Sequence, residues 1–351
     1  MAQAALAIDA MSGDFGPRVI IPSLLRFLTQ YSHLRVYVVG QKPILESIIQ
    51  RTRLVKKSKV LSRLEIIHAP DVIAMDEKPA QVLRDKKDSS MHVAINLVAE
   101  GKADAVVSAG NTGALMALSM HKLKRMQGIH RPAICGLLPT LDHHSYLLDM
   151  GANVDVSAKE LLQFAQMAQV LSSVVDGQAS PSVALLNIGE EVVKGNSQVQ
   201  EAAVLLQSEK EHFDMNYVGF IEAHKLYDGA ADIIVCDGFV GNIALKASEG
   251  VATYMLEKIR QEFRADWVFR LLSLFAVPQF LRIKKRIDPR RFNGAILLGL
   301  NGVVIKSHGH ADEEAFFHAL EHAQRMRHRG LIQRLSESLQ TRFFDDNSLG
   351  S

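Results

Sequence analysis

Ten short apolar runs recur along this 351-residue chain, most of them separated by intervals with helical patterning. They are Leu6–Ala10, Arg35–Val39, Leu64–His68, Asp104–Ser108, Ala133–Leu137, Tyr146–Met150, Val183–Ile188, Tyr217–Ile221, Ile233–Cys236 and Ile296–Leu300. Short runs rich in β-branched residues predict strands. Their alternation with helices predicts an α/β fold, a largely parallel sheet with helices on both faces. The clearest helical intervals are Ser90–Glu100, Gly113–Lys124, Ser157–Val175 and Ser197–Glu211. Ser157 and Glu160 stand at capping-box spacing at the head of the third. A boundary near residues 151–157 would give two lobes, but no Pro/Ser-rich linker supports it, so residues 1–340 read as one unit.

Composition narrows the class. Hydrophobic content of 48% with 22% charged residues belongs to a packed globular protein. A net charge of +2 gives no global pull toward nucleic acid. The charge is uneven, however: residues 251–291 carry ten Lys or Arg against four Asp or Glu, so that segment should meet anionic partners. The two cysteines, Cys135 and Cys236, lie inside apolar runs and suggest a reducing compartment. With a strand-like run at Ala5–Ala10 and no signal-peptide pattern, the expectation is a cytoplasmic protein. No uninterrupted apolar run reaches the roughly 18–20 residues needed to span a bilayer.

Small and polar residues gather where the predicted strands end. Ala231–Cys236 breaks into Asp237-Gly238-Phe239-Val240-Gly241-Asn242 and resumes as a helix carrying Lys246. A strand, a glycine turn and a helix N-terminus present unpaired N–H groups and a positive dipole end, which favour phosphate. The pattern recurs at Ser108-Ala109-Gly110-Asn111-Thr112-Gly113, Asp149–Asp155, Asn187–Glu191 with Lys194-Gly195-Asn196, and Gly299–Gly309. Each alone has an ordinary explanation as a tight turn. Together they predict a pocket of amides, hydroxyls, lysines and bare backbone that binds a small anion and stabilises an oxyanion. Neither G-x-G-x-x-G nor G-x-x-x-x-G-K-[ST] occurs, which weakens dinucleotide and P-loop readings.

These motifs, with Ile8–Pro17 and Asp88–Met91, closely resemble in order those of the bacterial phosphate acyltransferase family, which makes acyl phosphate from acyl-acyl carrier protein. The resemblance spans about residues 5–330. More distantly, Gly101–Gly110 and Asp232–Lys246 look like phosphotransacetylase segments, implying the fold shared with isocitrate-dehydrogenase-like enzymes. Ser12 stands where the family usually has glycine. Serine tolerates positive φ less well, so the resemblance is weakest at this first turn.

The resemblance implies that inorganic phosphate attacks the thioester carbonyl of a fatty acyl group on acyl carrier protein. No cofactor and no metal are implied. The expected catalytic residues are Lys194, Asp237, Asn242, Lys246 and His308. The expected phosphate and substrate groups are Asp9, Gly110, Asn111, Thr112, Gly113, Asn153, Gly195, Asn196, Gly238, Gly241 and Lys306. Cys236 invites an acyl-cysteine route, but no histidine neighbours it in sequence and small apolar packing is preferred. The His143-His144, His308-x-His310 and His318/His322 pairs lack the accompanying ligands of structural zinc.

Residues 267–283 are apolar at 12 of 17 positions and run into Lys284-Lys285-Arg286. Pro278 should break a helix there, predicting a protruding helical hairpin whose tip, with Leu272, Leu274, Phe275, Val277 and Phe280, touches an anionic membrane surface. A dimer core and a dock for acyl carrier protein are the alternatives. The resemblance implies a homodimer peripherally attached to the inner membrane, feeding acyl phosphate to a membrane glycerol-3-phosphate acyltransferase. Two rival functions stand beside it: a short-chain phosphotransacetylase using coenzyme A, and a non-catalytic carrier-protein-binding membrane scaffold. Residues 341–351 read as a tail without fixed structure.

Overall fold

The computed structural model describes residues 4–52, 57–212, 215–265 and 288–344. Eleven strands form one sheet: β1 (Ala5–Asp9), β2 (Arg35–Gly40), β3 (Leu64–His68), β4 (Ala105–Ser108), β5 (Ala133–Pro139), β6 (His144–Leu148), β7 (Ser182–Asn187), β8 (Asn216–Glu222), β9 (Ile233–Val235), β10 (Ala295–Leu298) and β11 (Val303–Lys306). Their order is β3-β2-β1-β4-β11-β10-β5-β6-β9-β7-β8. All ten expected strands form within a few residues of their predicted ends. β11 is additional. The four-residue turn 299–302, with Gly299 at φ 90°, separates it from β10, and the two pair as an antiparallel hairpin.

Seven of the ten strand pairings are parallel, and the three antiparallel ones, β11/β10, β10/β5 and β5/β6, lie together in the middle. The sheet therefore consists of two parallel blocks that run in opposite directions. Register decides how they meet. Lys306 at the end of β11 faces Ala295, the next residue Ile296 faces Cys135, and Cys135 faces Leu148 at the end of β6. The carboxyl ends of the two blocks thus finish one residue apart in level, separated by about 14 Å at the usual strand spacing. Ligands bind outside the carboxyl ends of parallel strands, so both blocks direct their loops at one junction.

Alternate residues of each strand feed opposite faces. Leu6, Ile8, Val36, Val38 and Val107 pack with the helices Pro17–Gln30, Ala158–Asp176 and Glu313–His328. Ala7, Val39, Val106 and Val304 pack with Ser90–Ala99 and Thr112–Leu123. Leu147, Ala184, Ile234 and Cys236 receive Ala244 and Leu245 from the Gly238–Ala265 helix. Helices cover both faces, as predicted. The Ser157/Glu160 capping box forms, and Gly177 ends that helix at φ 76°. The last helix, Leu331–Phe344, runs four residues into the stretch read as a tail, carried by buried Leu331, Leu335 and Leu339 at i, i+4 spacing. Residues 345–351 and the apolar set Leu272, Leu274, Phe275, Val277 and Phe280 lie outside the described residues.

Candidate active site

The first block ends in three turns laced together. Asp9 Oδ2 accepts from Ser108 Oγ at 2.7 Å, and Ser12 Oγ donates to Asp9 O and accepts from Ala109 N, both at 3.0 Å. Ser12 needs no positive φ, because Gly13 takes the left-handed conformation at 79°. The serine that departs from the family pattern is instead a clasp between two strand ends. Gly110 is closely packed: a Cβ would lie 2.5 Å from Met91 Cε, which would have to shift, and 3.2 Å from Ser12 Cβ. The turn after β11 joins through Asp14 N to Gly309 O at 2.9 Å and His310 Nδ1 to Asp14 Oδ2 at 2.8 Å.

Lys246 and His308 meet above these turns, and Lys306, whose Nζ donates to Ser307 O, lies in charge range of both. Lys246 Nζ, on the Gly238–Ala265 helix, lies 3.4 Å from His308 Nε2 and 3.2 Å from Glu249 Oε2. Glu249 Oε1 is 3.7 Å from His308 Nε2. His308 Nδ1 accepts from the His310 N–H at 3.2 Å, which places the proton of the neutral ring on Nε2. Nε2–H and the Lys246 ammonium are then two donors aimed at one region, with no bond between them. Burial, and then Lys246 and Lys306, hold the His308 pKa below the ordinary imidazole value, against the pull of Glu249. Burial and Lys246 together bring Lys306 down to about 8. Lys246 and the ring share a single carboxylate, Glu249, so the converging donors keep capacity to receive a further anion.

The second block ends differently. Asp149, fully buried, accepts from Ile134 N, Gly151 N, Ala152 N, Asn153 N and Asn153 Nδ2 at 2.8–3.1 Å. The N–H nest that the sequence offers to phosphate is filled by the protein's own carboxylate. Asn153 Nδ2 also donates to Pro132 O at 2.8 Å, so its amide is spent on the turn. Gly238 N donates to Asn153 O at 2.7 Å, and a Cβ on Gly238 or Gly241 would lie 2.6 Å from Asn153 O or 2.0 Å from Asp149 O. These glycines admit the neighbouring turn rather than a ligand.

Several expected ligand groups serve as helix caps. Asn111 Oδ1 accepts from Ala114 N at 3.0 Å while its Nδ2 donates to Met75 O and Glu77 O. Asp237 Oδ1 accepts from Val240 N at 2.7 Å, and Asn196 Oδ1 from Val199 N at 2.9 Å. Short polar side chains are favoured at N-caps for this reason, and a cap and a ligand look alike in sequence. Thr112 and Gly113 open their helix, and Gly113 abuts Pro79. Asn242 is exposed against Gly151. Lys194 is exposed in the loop after β7. Its backbone carbonyl is held by Asn187 Nδ2, Gly195 turns at φ 91°, and no contact among the described residues joins Lys194 to the Lys246–His308 pair. Cys236 is buried beside Asp149 O, and burial pushes its thiol pKa well up, the opposite of a nucleophile's need. Among the described residues no three His, Cys, Asp or Glu side chains gather as metal ligands.

The family of fatty acid synthesis proteins matches residues 4–334. Phosphate acyltransferases of Nitrosococcus oceani and Pseudomonas syringae pv. syringae are 48% and 49% identical to the chain. The alignments span 335 and 340 residues, 95% and 97% of this chain and 96% and 98% of theirs. The chain belongs to the phosphate acyltransferase family. Solved phosphotransacetylases share its fold. That of Streptococcus pyogenes superposes with a TM-score of 0.60 at 16% identity over 96% of this chain and 94% of its own. EutD phosphotransacetylase of Staphylococcus aureus gives 0.59 at 16% over 95% and 94%.

Of the residues that build the site, sequence reasoning passed over Glu249 and Asn293, and it quoted Ser12, Asp14 and Ser108 within motifs without giving them a site role. Glu249 had a signal: it stands three residues after Lys246, on the same helical face. Asn293 had none, because its partners Ser307, His308 and Ala315 lie 14 to 22 residues along the chain.

Proposed function

We propose that the chain transfers a fatty acyl group from acyl-acyl carrier protein to inorganic phosphate at the junction of the two blocks. The observation that carries the proposal is Lys246 beside the Nε2–H of His308, with Lys306 in charge range of both, where the strand ends converge in a member of the phosphate acyltransferase family. Lys246 and Lys306 hold the phosphate dianion. His308, neutral at pH 7, supplies a hydrogen bond that strengthens as charge moves onto the thioester oxygen. A phosphate oxygen forms the new C–O bond, the C–S bond breaks, and the proton shed by phosphate ends on the carrier thiol. Positioning does most of the work, since phosphate brings its own nucleophile. In this reading Lys194, Thr112 and Asn242 serve the acyl and carrier parts of the substrate.

The chain works as a homodimer at a membrane surface. In support, the Gly238–Ala265 helix leaves Val251, Tyr254, Met255 and Leu256 exposed, as a helix body awaiting a second copy would. The basic, apolar segment that follows suits an anionic bilayer. Among the described residues no helix is long and apolar enough to cross a membrane.

Phosphate-dependent release of carrier thiol from palmitoyl-acyl carrier protein, run beside palmitoyl-coenzyme A and acetyl-coenzyme A, tests the donor. Turnover with the carrier substrate is expected. Preference for acetyl-coenzyme A would move the function to a short-chain phosphotransacetylase, and none with any donor would leave a scaffold.

A further inference from the structure

Asn293 makes three side-chain hydrogen bonds, and two of them grip the turn between Lys306 and His308. Its Nδ2 donates to Ser307 Oγ at 2.9 Å and to Ala315 O at 2.7 Å, and its Oδ1 accepts from His308 N at 2.9 Å. Ser307 is fully buried, and its own N–H donates to Ser108 O at 2.8 Å. In extended chain successive side chains point to opposite sides. With Ser307 held inward, Lys306 and His308 are turned outward together. The Asn293 amide thus sets which way both phosphate-facing groups point.

We propose that Asn293 is a positioning residue for acyl transfer, locking the Lys306–Ser307–His308 turn so that ammonium and imidazole reach one phosphate. It rests on the phosphate role given above to Lys306 and His308. The anchorage is firm on the far side as well. Arg290, three residues earlier, bonds Asp288 at 2.8 Å and Asp312 at 2.9 Å, and Asp312 caps the helix that contains Ala315. One amide therefore ties the return from the basic, apolar segment to the end of β11.

The test compares Asn293→Ala and Asn293→Asp with Lys306→Ala and His308→Ala in the 351-residue chain, measuring thiol release against phosphate, against acyl-acyl carrier protein and against pH. A displacement of about 1 Å costs up to a hundredfold. The phosphate KM of Asn293→Ala should therefore rise between about tenfold and a hundredfold, with the KM for acyl-acyl carrier protein within about twofold of wild type. The pH profile carries the readout that folding alone would not move. His308 faces Lys246 and Glu249 from the Gly238–Ala265 helix and Lys306 and His310 from its own turn, with Asp14 beyond His310. Released from that setting, the ring returns toward 6.5 and stays cationic to higher pH, so the acidic limb of kcat/KM for phosphate changes from that of wild type, while phosphate's own titration is common to every variant. Asn293→Asp keeps an acceptor for His308 N–H but repels Ala315 O, and should fall between wild type and Asn293→Ala. An unchanged phosphate KM and acidic limb in Asn293→Ala, with Lys306→Ala and His308→Ala impaired, would overturn the proposal alone. Wild-type kinetics in those two variants would overturn the phosphate site beneath it. Loss of a cooperative thermal transition in both Asn293 variants would make the residue a folding element and also overturn the proposal.

Discussion

Replacing Lys306 by methionine should stabilise the fold while weakening phosphate binding. An ordinary lysine titrates at 10.5, and burial with Lys246 nearby brings Lys306 to about 8. Between those values the unfolded chain binds the extra proton, so stability rises with pH across the window, and below pH 8 the full cost of the buried charge stands. At about 1.4 kcal/mol per pH unit the cost has a ceiling of about 3 kcal/mol. Methionine keeps the apolar stem but loses the bond from Nζ to Ser307 O, worth about 1 kcal/mol. The net gain at pH 7 should be about 1–2 kcal/mol, shrinking to nothing at about pH 10 as the cost of the charge falls to that of the lost hydrogen bond. Urea unfolding at fixed protein concentration, in buffer free of phosphate, measures it at pH 7 and pH 10. The phosphate KM of the same variant should rise at least about tenfold. A variant no more stable than wild type at pH 7, or one whose stability advantage is the same at both pH values, would refute the reasoning.

Four further outcomes follow from the same geometry. Asp149→Ala orphans four backbone N–H groups, each costing about 1–3 kcal/mol, and should abolish cooperative thermal unfolding; a melting temperature within a few degrees of wild type would remove the carboxylate from its place at the hub. Gly241→Ala drives a Cβ to 2.0 Å from Asp149 O and should cost more than about 2 kcal/mol in a denaturant titration. Cys236→Ala should keep most of its activity and form no acyl-enzyme in a single-turnover trap, as a buried thiol with a raised pKa demands; a trapped acyl-cysteine in wild type would contradict this. Wild-type kcat/KM for phosphate should decline above pH 8 as Lys306 loses its proton, and Lys306→Met should flatten that limb.

Strand positions were legible because burial on both faces leaves near-continuous apolar runs such as Ala133–Leu137 and Ile233–Cys236. The reversal of direction between the two blocks was not. It is made by the β10–β11 hairpin and the β5–β6 hairpin, and the four-residue β11 was hidden inside a run read as one turn motif. The candidate site divides along a similar line. Lys246, Lys306 and His308 were visible as charged residues following apolar runs, and they converge. Asn111, Asn153, Asp237 and Asn196 carry the same signature, yet each is consumed by a backbone N–H or carbonyl nearby. Composition cannot separate a cap from a ligand, because both are short polar side chains beside a helix N-terminus. Asp149 shows the limit most clearly, since a nest of N–H groups reads as a phosphate site until the carboxylate that fills it is placed.

The measurement that bears most directly on the central claim is the phosphate dependence of thiol release from palmitoyl-acyl carrier protein in Lys246→Ala, Lys306→Ala and the wild type. The account predicts phosphate KM values raised at least about tenfold in both variants, with the KM for the acyl donor within about twofold of wild type. Phosphate KM values equal to wild type in two folded variants would contradict it.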